Sequence, residues 1–511
     1  MRLAAVVCAC AQVLAPVQAQ NQLPALGDPA SEDFSIATER KLGEEIMREI
    51  RADPDYLDDP VLLEYLQSLW QPLVAQARVR GNISSDIDQR LAWEPFLVRD
   101  KEVNAFALPG GYVGVYLGLM ALTATRDELA SVLAHEMSHI TQRHIARSIA
   151  NSKRQTLLSL ATLLAGMVVA SRAGNSSIDA ANAAVVGSQA LAIQGQLNFS
   201  RDMEREADRV GFGVMSGAGF SPGGMAAMFE KLEQSSRLND AGGYPYLRSH
   251  PLTSERIGEA RSRLGAAPAV APNGRLEHSI AQARARVMMD SRFDALRRWQ
   301  ALDGDRLAST TTDKLINLYE SALASTLLRD WARADVAIAG ALQLTQGAAP
   351  RDARAERALA LLSVQSLLAR GDVSRANAAL APYAADGSRP TLLLSAQAAL
   401  AGASPDSTTV KQSADQLQTW VATHPRDALA WTALSQSQER LGQPLRALRS
   451  DAESRVALGD FDGAVERLHA GQRRARSGGS VDFIDVSVID ARLRDVELLR
   501  RQRKDDEKSL R

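Results

Sequence analysis

The spacing of apolar positions divides the chain into helical regions and one short extended region. From residue 20 to about residue 90, and again from 125 to about 264, apolar residues recur every three or four positions, which is the period of an amphipathic helix. Residues 91–118 contain short apolar runs broken by Pro109-Gly110-Gly111, a pattern that predicts strands and turns. From residue 275 to 499 the helical period returns with only short breaks. The pattern predicts a mainly α protein with a small β-sheet near residue 100.

Breaks in this pattern indicate the domain boundaries. The stretch 265–274, rich in glycine, alanine and proline, is typical of a linker, and the charged residues 500–511 are typical of a frayed tail. We therefore predict one domain over residues 20–264 and a second, helical domain over residues 275–499. A chain of 511 residues is long enough for two or three domains.

The first nineteen residues have the three parts of a secretory signal peptide. Arg2 provides the positive start, Leu3 to Leu14 the apolar run, and Val17-Gln18-Ala19 a small-residue site for cleavage after Ala19. The alternative is an N-terminal core helix. Both cysteines of the chain, Cys8 and Cys10, lie in the segment to be removed. The mature protein is thus expected to lack disulfides and thiol catalysis, even in an oxidising compartment.

Charge and hydropathy limit the partners. The formal net charge of −1 gives no electrostatic reason to expect a nucleic acid. Leu157 to Ala170 is apolar, but it is shorter than the roughly 20 residues that span a bilayer. We predict a buried helix or a mobile flap there, and peripheral membrane contact is the alternative because basic residues flank the segment.

The C-terminal half carries a degenerate repeat. An alanine follows five residues after each of Gly371, Gly442 and Gly459, and Asp330 with Ala334 fits the same frame without the glycine. Half-repeats of about 17 residues are typical of tetratricopeptide units, whose stacked helix pairs form a concave groove. The alternative is an alanine-rich helical bundle without repeat symmetry. We favour an α-helical tetratricopeptide solenoid.

The candidate chemistry centres on His135-Glu136-Met137-Ser138-His139. Thr125 and Glu128 predict a capping box at the start of the helix that carries this run. Two histidines four residues apart lie on one face of a helix, so both imidazoles can reach one zinc ion. The glutamate beside the first histidine can then contact a zinc-bound water.

A third zinc ligand is expected downstream. Ser200 is a plausible N-cap for a helix in which Glu204 and Asp208 share one face. Glu204 is the predicted ligand, and Asp208 is the predicted hydrogen-bond partner of a ligating histidine. Glu206 lies on another face and is the weaker candidate.

Two further histidines are considered for the site. His144 lies five residues beyond His139 and is rotated away from the ligand face, so we expect it at the surface or behind the ligands. His250 precedes Pro251, which holds its backbone extended. It could stabilise an oxyanion, occupy the open zinc position and keep the enzyme latent, or be an ordinary loop residue. His278, His424 and His469 carry no functional signal.

The run His135–His139, followed by Glu204-x-Glu206-Ala207-Asp208-x-x-Gly211, resembles the gluzincin family that includes the prenyl-protein endopeptidases and their soluble bacterial relatives. Asn104–Gly111 and Ser249-His250-Pro251 also resemble segments of this group. The order of signal peptide, peptidase domain and tetratricopeptide array is similar to that of periplasmic members. The match covers most of the chain and is most specific at the zinc motif.

The resemblance implies a zincin-type metallopeptidase domain with zinc ligands His135, His139 and Glu204, catalytic base Glu136, and His250 as a regulatory ligand. It also implies that the substrates are misassembled or stalled outer-membrane proteins, with the repeats docking on the assembly machinery. We add two hypotheses. The segment Asn104–Val115 could pair with a substrate strand, or the protein could be a chaperone or scaffold whose zinc site is largely latent.

Overall fold

The structure is a computed structural model that describes most of the chain. The described ranges are 34–150, 200–237, 244–264, 276–304, 308–348, 350–402, 407–476 and 483–510. The predicted signal peptide with its two cysteines, the apolar segment Leu157–Ala170 and the predicted linker 265–274 lie outside these residues. Within the described ranges, no helix combines the length and the hydropathy needed to cross a bilayer.

The N-terminal part consists of helices around a small sheet. Its helices are α1 (Ile36–Ala52), α2 (Pro60–Val79), α3 (Ser85–Arg90), α4 (Leu117–Leu122), α5 (Arg126–Thr141), α6 (His144–Ala150), α7 (Arg201–Gly217), α8 (Gly223–Arg237), α9 (Pro245–Ser249) and α10 (Ser254–Leu264). The main core lies between α2, α5, α7 and the sheet, and leucines of α2 such as Leu62 and Leu66 are fully buried in it. Both leucines belong to the apolar positions that recur with a helical period in the sequence.

The four strands are β1 (Tyr56–Leu57), β2 (Glu94–Val98), β3 (Ala105–Leu108) and β4 (Tyr112–Tyr116), and they are ordered β1-β2-β4-β3. Strand β4 is buried throughout and pairs in parallel with β2 and antiparallel with β3. Strand β3 therefore forms one edge of the sheet. Of the segment Asn104–Val115, which we expected to offer an edge to a substrate, only β3 does so, because β4 is enclosed between two strands.

The C-terminal part is helical. Its α-helices are α11 (Leu276–Met289), α12 (Phe293–Gln300), α13 (Thr311–Leu327), α14 (Trp331–Gln346), α15 (Ala353–Ala369), α16 (Val373–Leu380), α17 (Arg389–Leu400), α18 (Ser407–Thr423), α19 (Ala428–Arg440), α20 (Pro444–Leu458), α21 (Phe461–Arg476) and α22 (Phe483–Leu510). The predicted fold class, mainly α with a small sheet and a helical C-terminal region, is confirmed. The tetratricopeptide assignment and the domain boundaries stay predictions.

The repeat frame has a structural meaning. Gly371, Gly442 and Gly459 all adopt left-handed backbone with φ between 71° and 82°, where a helix ends. The alanines five residues later are buried, so the next helix can pack closely. In the frame without a glycine, Arg329 adopts φ 61°, a conformation that costs a residue with a Cβ about 1–2 kcal/mol. The fold thus imposes the same turn even where the sequence lacks the residue suited to it.

The two parts are joined by polar contacts at α2 and by the packing of α11 against α2 and α4. Arg284 on α11 forms a bidentate ion pair with Asp59, and both side chains are buried. His278 on the same helix bridges the Tyr65 hydroxyl and the carbonyl of Thr123. These contacts dock the helical region on the N-terminal part.

Candidate metal centre

Helix α5 carries the first two metal-ligand candidates through the interior of the domain. Thr125 is its N-cap, and its hydroxyl accepts a hydrogen bond from the Glu128 backbone N–H at 3.2 Å. The predicted capping box is only half formed, because the Glu128 carboxylate accepts from the Ala124 N–H and from Lys231 instead. Every residue of α5 from Asp127 to Thr141 is buried, so the helix is held from all sides and its histidines are fixed in direction.

Helix α7 crosses α5 at the histidines. Ser200 is its N-cap, as predicted, and accepts a hydrogen bond from the Met203 backbone N–H. Gly211 makes the close crossing possible, since a Cβ there would lie 3.0–3.1 Å from the carbonyl of Ala134 and the backbone nitrogen of His135. The crossing points Glu204 and Asp208 at the face of α5 that carries the histidines.

Four side chains converge on one point. Ligand atoms of His135, His139, Glu204 and His250 all lie within 4.8 Å of one another, and all four residues are buried. The Nε2 atoms of His135 and His139 are 3.0 Å apart, and each lies 3.4 Å from a Glu204 oxygen. The three predicted ligands are thus brought together, with His250 as a fourth member.

The donor set fits a zinc ion. Asp208 accepts a hydrogen bond from His135 Nδ1 at 2.9 Å, so the ring's Nε2 is the atom left to face the centre. Nitrogen and carboxylate lone pairs converging at 3.0–3.4 Å repel one another unless a cation lies among them. Two histidines and one glutamate, with a further position available, are the ligands of a catalytic zinc site.

A proton can take the place of that cation. Burial by itself would lower the pKa of His135, but hydrogen bonds to Asp208 and Glu204 outweigh it and raise that pKa to about 10. Burial and the neighbouring His135 lower the pKa of His139 well below its usual value. Metal binding at this centre therefore competes with a proton on His135.

Asp208 and Glu204 share a buried cation, Arg256 of α10. Its guanidinium makes two hydrogen bonds of 2.7 and 2.8 Å to Asp208 and lies 2.8 Å from a Glu204 oxygen. Burial opposes the ionisation of Asp208, yet hydrogen bonds from Arg256 and His135 keep its pKa low. Sequence reasoning missed Arg256, because nothing in its spacing from the motif indicates the contact.

Glu136 lies between the centre and the sheet edge. One of its oxygens accepts a hydrogen bond of 3.0 Å from the Ala107 backbone N–H on β3, and the other accepts none from the residues that the structure describes. Burial raises the pKa of this carboxyl group. A buried carboxylate with one unengaged oxygen is suited to accept a proton from water.

His250 is part of the centre rather than a surface residue. It follows α9, stacks on Tyr246 with ring centroids 4.8 Å apart, and is 2% exposed. Its Nδ1 lies 3.0 Å from Glu204 Oε1 and 3.3 Å from His135 Nε2, and its Nε2 lies 3.5 Å from Glu136. Both functional hypotheses for His250 therefore fit its position.

His144 contacts the ligand candidate His139 from behind, one of the two positions expected for it, and Glu206 contacts His144. His144 is fully buried, and its Nδ1 lies 2.9 Å from His139 Nδ1. Its Nε2 lies 3.0 Å from Glu206 Oε2, which also accepts a hydrogen bond from Arg147. Glu206 is on another face of α7 than Glu204, as predicted, but this face packs against His144.

Comparisons with known proteins agree with this geometry. Residues 65–264 match peptidase family M48. The chain is 36% identical over 272 residues to a putative beta-barrel assembly-enhancing protease of Vibrio cholerae, a match that spans 53% of each protein. It is 28% identical over 477 residues to the beta-barrel assembly-enhancing protease of Escherichia coli, which covers 90% of this chain and 88% of that protein.

A more distant relative is the mitochondrial metalloendopeptidase OMA1 of Schizosaccharomyces pombe, 29% identical over 226 residues that span 60% of that protein. The buried His135, His139, Glu204 and His250 group lies within the residues of this chain that match the family. Residues 65–264 are therefore an M48 peptidase domain, and the buried ligand group within it is that of a zinc metalloprotease.

Proposed function

We propose that this chain is a periplasmic zinc endopeptidase that degrades misassembled or unfolded outer-membrane proteins, and that its helical region binds these clients or the assembly machinery. The observation that carries the peptidase part is the position of Glu136 between the ligand group and the edge strand β3. The substrate class is supported by the name of the Escherichia coli relative, whose match covers 90% of this chain.

The chemistry divides between the metal and the chain. His135, His139 and Glu204 would hold a zinc ion, which would supply Lewis-acid chemistry at this centre by lowering the pKa of a bound water to about 7 and polarising the scissile carbonyl. Glu136 accepts the proton of the attacking water and delivers it to the leaving amine. Asp208 holds the tautomer of His135 through its Nδ1. In this scheme His250 either donates to the developing oxyanion or blocks the centre.

Strand β3 is the proposed substrate guide. The Ala107 N–H donates to Glu136 rather than to β4, so the backbone groups of Ala107 and, two residues away, Ala105 face away from β4, toward the outer edge of the sheet. An extended substrate can add to this edge through main-chain hydrogen bonds. Unfolded chains rich in β-forming sequence suit such an edge.

Edge addition is tested with N-methylated substrates. We expect methylation of the alternate substrate amides that face β3 to reduce cleavage at least tenfold, because each methyl group removes a donor from the new ladder. Methylation of the opposite set of amides is the matched control and should have little effect. Equal loss with both sets would contradict strand addition. Proline substitution at Val113 would not test strand addition, because Val113 is paired with strands on both sides.

The peptidase assignment is tested by Glu136→Gln. Mature wild type and variant, both loaded with zinc, are compared for degradation of an unfolded β-barrel protein. We expect the variant to lose about 10²- to 10⁴-fold in rate, because the amide cannot accept the proton, while its zinc content stays the same. Asp202→Asn, at an exposed position of α7, serves as the control. Undiminished cleavage by Glu136→Gln would refute the proposed base.

A second candidate function, a chaperone or scaffold with a latent centre, is favoured by the contact of His250 with Glu204 and His135. If His250 blocks the centre, His250→Ala should raise the cleavage rate several-fold; if it stabilises the oxyanion, the rate should fall. Suppression of client aggregation by Glu136→Gln measures the chaperone role without proteolysis. A variant that neither cleaves nor suppresses aggregation would rule that role out.

The proposed periplasmic location rests on the predicted signal peptide. We expect the protein recovered from the periplasm to begin at Gln20, and intact-mass measurement checks this. The proposed domains are the peptidase domain 20–264, the repeat domain 275–499 and the tail 500–511.

A further inference from the structure

The metal ligand His139 is held from behind by a chain of polar side chains. His144 Nδ1 lies 2.9 Å from His139 Nδ1, and His144 Nε2 lies 3.0 Å from a Glu206 oxygen. Arg147 donates to the same Glu206 oxygen at 3.1 Å. His144 is fully buried, whereas the Glu206 side chain retains 30% exposure, so the chain runs from the centre toward the surface.

Donor and acceptor rules set the direction of these hydrogen bonds. An ionised carboxylate only accepts, so His144 Nε2 must donate to Glu206. A neutral imidazole carries a single N–H, and the Nδ1 of His144 is therefore an acceptor. The proton shared with His139 then sits on His139 Nδ1, which leaves the Nε2 lone pair of His139 directed at the metal position.

The two ligating histidines are thus oriented in different ways. His135 contacts its carboxylate, Asp208, directly at 2.9 Å. On its Nδ1 side, His139 reaches a carboxylate, that of Glu206, through an intervening imidazole, that of His144. Hydrogen bonds of this kind fix the ring orientation of a ligating histidine and raise its basicity.

The backbone places His144 in this position by an unusual turn. Arg143, between α5 and α6, has φ 52°, in the left-handed region that disfavours residues with a Cβ. Its guanidinium holds the turn by donating to the Phe34 carbonyl and to the buried Glu39 of α1. The chain can then fold back so that the ring of His144 lies behind that of His139.

We propose that His144 and Glu206 are positioning residues for the metal ligand His139, acting as a relay that sets its tautomer and thereby the zinc affinity. The proposal rests on His139 being a zinc ligand. It concerns the binding of zinc and needs no substrate, so it can fail independently of the proposed peptidase function.

The test is the zinc dissociation constant of the full-length protein, measured by competition with a chelating dye. Glu206→Ala removes the acceptor at a half-buried position, and we expect a 10- to 100-fold weaker affinity. Glu206→Gln keeps an oxygen acceptor for His144 and should recover most of the loss. Asp202→Asn, exposed on the same helix, is the matched control and should bind like wild type.

A double-mutant cycle separates the relay from general destabilisation. His144→Phe preserves ring volume without nitrogen atoms and should weaken zinc binding as much as Glu206→Ala does. The double variant should be no weaker than either single one, because both changes break the same relay. If His144→Phe does not fold, the difference in zinc affinity between Glu206→Ala and Glu206→Gln is sufficient to test the proposal.

Three results with the variants, and one with wild type, would overturn the proposal. Glu206→Ala could bind zinc within twofold of wild type, the Gln variant could fail to recover affinity, or the two losses could be additive. Wild type that binds no zinc would remove His139 as a ligand and the relay with it. Normal zinc affinities without cleavage of unfolded outer-membrane proteins would instead refute only the proposed substrate class.

Discussion

Buried charge dominates the centre at the residue scale. Glu204 and Asp208 are nearly inaccessible to water, and Arg256 is the guanidinium that contacts both. Burial opposes the ionisation of Glu204, but His250 and His135 hold its pKa well below the usual range. Removing one charge from such a cluster leaves its partners buried without a counter-charge. The resulting loss of folding free energy is larger than the contribution of an exposed ion pair.

We therefore predict that Arg256→Met destabilises the zinc-free protein by about 3–5 kcal/mol, because two buried carboxylates lose their cation. Zinc should recover part of this loss, since the ion supplies positive charge at Glu204. Urea unfolding with and without zinc measures both effects. Arg261→Met is the matched control on α10, because its pair with Glu230 is largely exposed and should be worth about 1 kcal/mol or less. Equal losses in the two variants would refute the charge argument.

Turns and caps decide where helices begin and end at the element scale. Left-handed residues recur at the helix ends of the C-terminal region, and three of these positions are glycine. Arg329 occupies the equivalent position before α14, with Asp330 as the following N-cap. The side chain of Arg329 is exposed, so its replacement removes backbone strain and little packing.

Arg329→Gly should stabilise the protein by about 0.5–1 kcal/mol, the cost of left-handed backbone less the entropy of an added glycine. The midpoint of urea unfolding measures the gain. Arg329→Ala retains the Cβ and should give no gain. A stabilisation of the same size in both variants would show that loss of the arginine side chain, not relief of strain, is responsible.

Helix α11 docks through a neutral histidine. Burial lowers the pKa of His278 to about 4, whereas an unfolded chain would titrate near 6.5. Because the folded pKa is depressed, the unfolded state binds the proton more tightly at acidic pH. The stability that neutral His278 contributes is complete above pH 6.5 and is lost progressively as the pH falls toward 4.

We predict that this histidine contributes up to about 3 kcal/mol to the fall in unfolding free energy between pH 6.5 and pH 4. Glutamine at this position can accept from Tyr65 and donate to the Thr123 carbonyl, but it does not titrate. His278→Gln should therefore show a shallower pH dependence in urea unfolding. The exposed His424 provides the control substitution, and His424→Gln should leave the wild-type slope unchanged.

At the scale of the whole molecule, arginines of the helical region form ion pairs with acidic residues at the N-terminal end of α2. Arg284 pairs with Asp59, Arg357 with Glu64 and Arg389 with Asp58. The Arg284–Asp59 pair is buried, while the other two keep partial solvent exposure. The helical region and the N-terminal part are therefore joined by an interface in which the buried ion pair is far more sensitive to substitution than its two neighbours.

Asp59→Asn should destabilise the protein by about 3–5 kcal/mol, because Arg284 is left buried without its counter-charge. Asparagine can still cap α2, as Asp59 does through the Leu62 N–H, so the loss reflects the interface. Asp58→Asn is the control and should cost about 1 kcal/mol or less, since Arg389 keeps Asp427. Urea unfolding measures the loss of stability in each variant, and hydrogen exchange at α2 and α11 reports on the interface. Equal losses in the two variants would contradict the prediction.

Much of the centre could be predicted because it is local in sequence. The spacing of His135 and His139, and of Glu204 and Asp208, puts each pair on one face of its own helix, whatever else the chain does. The N-caps at Thr125 and Ser200 are likewise decided within a few residues. The helical periods and the break at residues 91–118 predicted the fold class for the same reason.

Only the tertiary structure decided how these local pieces meet. The choice of β3 as the edge strand depends on pairing across the sheet, and a strand pattern is the same for inner and edge strands. Arg256 reaches Asp208 across 48 positions of sequence, and Glu206 reaches His144 across 62. Such contacts follow from the crossing of whole helices, which no local period encodes. The sequence by itself predicted the ligands and the base, because each pair of residues is local to one helix, while the crossing of α5 and α7 decided which residues lie behind them.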